Sequence, residues 1–194
     1  PGVTESEAAA VARWSPSHGG LLLDGANRVS VNFLPLPTGR FAVSRTVEGP
    51  PEYSGRGGRQ LYTHALIVDA AKLSRSGFRV FAVYRDALAL GYFRYRDEPG
   101  TILHPVELSE LYPPAGDEAF AGLARDLGLA TVEAAVNRLE AGQPVVIPYA
   151  GDRVLLAEYL LRRLDEATVA ATSVATSLVP SAARPYRLSL VAPG

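Results

Sequence analysis

Val29-Ser30-Val31-Asn32-Phe33-Leu34-Pro35-Leu36-Pro37-Thr38-Gly39-Arg40-Phe41-Ala42-Val43-Ser44-Arg45-Thr46-Val47 is the stretch whose reading decides the fold. Val29, Val31 and Phe33 alternate with Ser30 and Asn32, the period-two pattern of a half-buried strand. Leu36-Pro37-Thr38-Gly39 then carries Pro at the second position and Gly at the fourth, as a type I turn prefers. Phe41, Val43 and Val47 alternate with Ala42, Ser44 and Thr46. The stretch predicts an antiparallel hairpin, 29–36 with 40–47.

Outward from the hairpin, Gly49 to Arg59 reads as a loop rich in Gly and Pro, and Leu61 to Val68 as a third strand. Ala70 to Ser74 is short and helical. Phe78 to Tyr84 is apolar on both faces except at Arg79, which predicts a central fourth strand, and Leu88 to Tyr95 a fifth. Upstream, Thr4 to Trp14 reads as a helix opened by the capping-box pattern Thr4-x-x-Glu7 and ended by Ser15 to Gly20. Leu21 to Leu23 starts a short strand or simply packs down.

The second half changes character. Pro99-Gly100 and Pro113 to Gly116 read as connectors. Asp117 to Leu127 is helical, as is Thr131 to Ala141, capped by Thr131 and stopped by Gly142. Val145 to Tyr149 is a strand, and Gly151-Asp152 opens a helix to Leu164 with Asp152 as its N-cap. Thr168 to Ser177 and Tyr186 to Val191 are strands, and the strand–helix–strand passage over 145–177 predicts a parallel pair. The expected class is mixed α/β, a β-rich first half with its hairpin packed on an α/β second half. We expect a single domain over residues 1–194, β-rich over residues 1–98 and α/β over residues 99–194.

Composition narrows the function classes. The chain has 194 residues, 47% hydrophobic and 20% charged, with net charge −1 and neither Cys nor Met. Collagen-like, disordered and supercharged classes are excluded. Without Cys there is no disulfide framework and no thiolate nucleophile or metal ligand. No run reaches 18 apolar residues, so no membrane association is expected, and the opening Pro-Gly-Val-Thr has no basic or apolar leader. That opening also lacks an initiating Met, so a processed or trimmed start is expected. Residues 1–97 hold 12 basic and 8 acidic side chains, net +4, and residues 98–194 hold 7 and 12, net −5. A net +4 without a basic stripe does not read as a nucleic-acid surface. The expected location is the cytoplasm.

Candidate chemistry gathers in Arg45 … Glu52-Tyr53-Ser54-Gly55-Arg56-Gly57-Gly58-Arg59 … Tyr62-Thr63-His64. Arg45 is in phase with Phe41 and Val43, which places a guanidinium on the apolar side of its strand. Such a charge needs a partner, and Glu52 is the nearest carboxylate in the following loop. Gly55, Gly57 and Gly58 beside Arg56 and Arg59 are compatible with an anion nest, and fit better still a tight loop needing left-handed backbone. Neither phosphate-loop pattern is present. Ser54 and His64 are compatible with a nucleophile pair, but Glu52 and Arg56 stand where a nucleophile elbow needs glycines. His18, His64 and His104 have no metal-ligand spacing. No catalytic residue, metal or cofactor is assigned.

The segments Ser30 to Phe33, Leu36 to Thr46, Glu52 to Gly58 and Tyr62 to His64 resemble the N-terminal domain of GTPase-associated adaptor proteins of bacterial conflict systems. Thr172 to Leu178 and Arg184 to Leu188 resemble that domain's closing strands. The resemblance implies a bacterial, cytosolic adaptor encoded beside small GTPases, one that usually continues into further domains. The expected function is a non-enzymatic protein-interaction module acting with a GTPase partner. Its expected binding residues are Arg45, Glu52, Tyr53, Ser54, Arg56, Gly57, Gly58, Tyr62 and His64. The alternative is a hydrolase or a nucleotide- or anion-binding protein with a site around Arg45, Ser54, Arg56 and His64.

Overall fold

The structure, a computed structural model, describes residues 2–17, 19–22, 24, 27–51, 59–94, 105–109 and 117–194, the side chain of Asp117 excepted. Helix α1 (Glu5–Trp14) is followed by strands β1 (Val29–Pro35), β2 (Phe41–Pro51) and β3 (Arg59–Val68). Helices α2 (Ala70–Arg75), α3 (Val80–Ala89), α4 (Asp117–Leu127) and α5 (Leu129–Glu140) come next. Strand β4 (Val145–Pro148), α6 (Arg153–Leu161), α7 (Glu166–Ala171), β5 (Val174–Thr176) and β6 (Leu188–Val191) complete the order. The strands form one six-stranded sheet in the order β3-β2-β1-β5-β6-β4. The class is mixed α/β, as the sequence predicts.

The hairpin forms in the expected register, with Val29 opposite Val47 and Pro35 opposite Phe41. At its turn the Gly39 N–H donates to the Leu36 carbonyl at 3.0 Å, and Gly39 sits in the left-handed region at φ +78°. Only glycine adopts that conformation without a steric cost, which closes a type I turn onto a hairpin. The two halves of the chain meet edge to edge. β5 runs antiparallel beside β1, with Asn32 opposite Ala175. One residue further, the Val31 N–H donates to Thr176 Oγ1 at 2.8 Å, and that hydroxyl donates to the Val31 carbonyl at 3.0 Å. A threonine side chain thus extends the ladder where β5 ends. The parallel arrangement expected over 145–177 is present with β6 interposed, since β4 and β5 each pair with β6 in parallel.

Helices cover both faces of the sheet. Val31, Phe33, Val43, Leu66, Val174 and Leu188 point into the larger core beneath α2 to α7. On the opposite face Leu34, Leu36 and Ala42 pack against Ala10, Val11 and Trp14 of α1. The capping box of α1 is present, with Thr4 Oγ1 accepting from the Glu7 N–H and Glu7 accepting from the Thr4 N–H. Glu7 itself is fully buried, accepting from the Thr38 hydroxyl at 2.6 Å and lying 3.4 Å from Arg40. The Thr38 hydroxyl, then the Thr4 N–H, hold its carboxyl below the ordinary glutamate range.

A group whose pKa is depressed on folding contributes stability above its unfolded value, and loses it as pH falls through the folded value. Trp14, the only tryptophan, lies on the same helix with its ring 4.7 Å from Tyr186. Its emission therefore reports whether α1 is docked. Wild-type emission should hold through the carboxylate range and change only below it. Glu7→Gln should remove that acid step and loosen α1 at neutral pH, and superimposable traces would contradict the assignment.

Three expectations are corrected. Residues 78–84, read as a central strand, lie in the link to α3 and its first turns. The proposed strand 88–95 begins with the last residues of α3 and continues in turns as far as it is described. Val80 to Tyr84 and Ala87 are all buried, so a helix sunk in the core shows the same unbroken apolar run as an inner strand. Residues 168–171 belong to α7, because Asp165 caps it by accepting from the Thr168 N–H at 2.6 Å. Strand β2 also runs on to Pro51 and β3 starts at Arg59, shortening the predicted loop at both ends. A smaller shift concerns α5, which starts at Leu129 with Gly128 rather than Thr131 as its N-cap. The connectors at 99–100 and 113–116 lie outside the described residues.

Candidate functional site

Alternation along β2 puts Arg45 on the face of Phe41 and Val43, and the Arg45–His64 pairing puts His64 beside it on β3. Tyr62 shares that face. The rings of Tyr62 and His64 meet edge to face at 6.1 Å, and those of His64 and Phe93 at 5.7 Å. Tyr84, on α3, continues the series at 5.4 Å from Phe93. Arg45 Nη1 donates to the Phe93 carbonyl at 3.1 Å. One half-buried arginine therefore ties the turn after α3 to the sheet through a carbonyl. Burial pushes the Tyr84 phenol above its ordinary pKa, and the Arg45 guanidinium beside it pulls the other way.

Three of the nine expected site residues, Arg45, Tyr62 and His64, are thereby brought together at mid-strand on one face of β2 and β3. Glu52, Tyr53, Ser54, Arg56, Gly57 and Gly58 lie outside the described residues, as do His18 and His104 of the metal reading. The cluster sets a half-buried guanidinium near aromatic residues, and Arg and Tyr are residue types that commonly anchor protein partners. A cavity of about 200 Å³ opens elsewhere, between the start of α3 and the end of α6, with Arg79, Glu158 and Arg162 among its lining residues. None of Arg45, Tyr62 and His64 reaches it. Among the described residues no group of three or more His, Asp or Glu side chains could hold a metal ion, and no helix is long and apolar enough to cross a membrane.

A second polar constellation has no counterpart in the sequence reading. Arg153 is fully buried at the first turn of α6, yet every nitrogen of its guanidinium is engaged. Nε donates to the Tyr149 carbonyl at 2.8 Å, and Nη1 to Asp24 Oδ1 at 2.8 Å and Ser177 Oγ at 2.9 Å. Nη2 completes a two-pronged pair with Asp24. Nearby, the Asn27 amide donates to the Gly151 carbonyl at 3.1 Å. The one local signal was a cation in the first turn of a helix, where the dipole disfavours it. Arg85 similarly forks onto Glu158, with Nη2 at 2.8 Å from Oε1.

No curated protein and no solved structure matches the chain. A family model does, that of GTPase-associated protein 1, N-terminal domain type 2, over residues 1–110. That match covers more than half of the chain and contains α1, the hairpin, β3 and the Arg45 cluster, so the protein belongs to the family of GTPase-associated protein 1 N-terminal domains of type 2.

Proposed function

We propose that the chain is a non-enzymatic adaptor module that binds a protein partner, a GTPase first, through the end of the sheet where β2 passes into β3. Membership of a GTPase-associated family carries the reading. The grouping of Arg45, Tyr62 and His64 on β2 and β3, the two strands that residues 52–58 connect in sequence, supports the place, because Arg and Tyr commonly supply the anchoring contacts of an interface. His64, set edge-on between two aromatic rings, has the surroundings of a packed ring rather than of a proton carrier. The resemblance to conflict-system adaptors supports a bacterial, cytoplasmic setting for this module, encoded beside its GTPase.

The test is recovery of the neighbouring GTPase on immobilised chain. Tyr53→Ala and Arg56→Ala should each reduce affinity by about tenfold or more, the scale of a lost interface anchor. Equal recovery by wild type and both variants would contradict the placement. Marked thermal stabilisation by GTP, ATP or phosphate alone would instead favour the nucleotide- or anion-binding alternative at Arg45, Ser54, Arg56 and His64.

A further inference from the structure

Among the described residues, strand β3 forms one edge of the sheet. Val31 turns its backbone groups toward β5, and the Leu36 N–H bonds to the Arg40 carbonyl, so the even-numbered residues of β1 bond to β2. Carrying that alternation through the pairs Asn32–Ser44 and Arg45–His64, the even-numbered residues of β3 bond inward. Arg59, Leu61, Thr63, Ala65 and Ile67 therefore turn their backbone N–H and C=O groups away from the sheet. Protein edges are ordinarily guarded by charge, proline, bulges or brevity. β3 is ten residues long, and from Gln60 to Val68 it holds no Lys, Arg, Asp, Glu, Pro or Gly. The irregularity in its pairing is confined to its start, opposite Glu48 to Pro51.

We propose that this edge pairs with the same edge of a second copy of the chain, antiparallel about a two-fold axis at His64. In that register every outward-facing residue meets another: Thr63 faces Ala65, Leu61 faces Ile67 and Arg59 faces Asp69. The charges select this register. Arg59 is exposed, and Asp69 keeps an extended backbone (φ −71°, ψ 145°) with a side chain 64% exposed beside Arg40. Each end of the paired strands thus closes with an Arg–Asp pair, and a slip by two residues loses both. The interface is isologous, as a two-fold requires. One strand pair falls below the size of a permanent interface, so association is expected with a dissociation constant on the order of micromolar. It uses the outward backbone groups of β3, the strand that also carries Tyr62 and His64 of the cluster proposed to hold the GTPase.

Sedimentation of the whole chain over a concentration series is the test. Wild type should shift from one chain toward two. Arg59→Asp and Asp69→Arg should each weaken association at least tenfold, and the combined exchange should restore it. Ala65→Pro removes an outward N–H without breaking a bond to β2, and should abolish the dimer while leaving the circular dichroism unchanged. A wild type that stays single at all concentrations, one that pairs only with a different protein's strand, or a dimer indifferent to Ala65→Pro would each overturn the proposal.

Discussion

Asp24→Ala is expected to lower the melting temperature by roughly 6–20 °C, a loss of about 3–5 kcal/mol. The magnitude follows from which partner stays behind. The Asp24 side chain is 28% exposed, whereas its partner Arg153 is fully buried. Without the carboxylate, a guanidinium shut away from water keeps, among the described residues, only the Tyr149 carbonyl and Ser177 hydroxyl. Arg153→Met should cost less, because an apolar side chain fills the buried space and Asp24 can be hydrated again. Thermal unfolding followed by circular dichroism decides it. A shift of only a degree or two for Asp24→Ala, or a larger loss for Arg153→Met, would show that the pair is not the clasp described.

Residues 1–110 expressed alone are expected to give no cooperative unfolding transition, although the family match covers that segment. The larger core sets Val31, Phe33 and Val43 against Leu156, Val174 and Leu188, so a cut at 110 strips its second side. It also bares the backbone of β1 that β5 occupies in the whole chain. The remaining sheet would present two unpaired edges and a large apolar face, which favours aggregation over folding. Calorimetry of the fragment against the whole chain is the check. A sharp transition in the fragment would make that segment an autonomous domain, whereas the expectation is one cooperative unit over 1–194.

What the sequence disclosed was what neighbouring residues settle among themselves. The hairpin was legible because alternation and turn chemistry agree within twenty residues, and α1 because Thr4 and Glu7 cap it locally. Helix α3 was not, since burial on nearly all sides erases the periodicity that separates a helix from an inner strand. In the candidate site the inward face of Arg45 could be read from its phase. Its bond to the Phe93 carbonyl could not, because that partner is 48 residues away on a segment misread as a strand. Arg153 and Asp24 are 129 residues apart, and no local pattern announces such a pair.

Hydrogen exchange of the chain with and without its GTPase most directly tests the proposal that this end of the sheet is the binding face. Protection on complex formation should concentrate between Arg45 and His64, across the β2–β3 passage. Protection confined to α5 and β4 at the far edge, or no change anywhere at saturating GTPase, would contradict it.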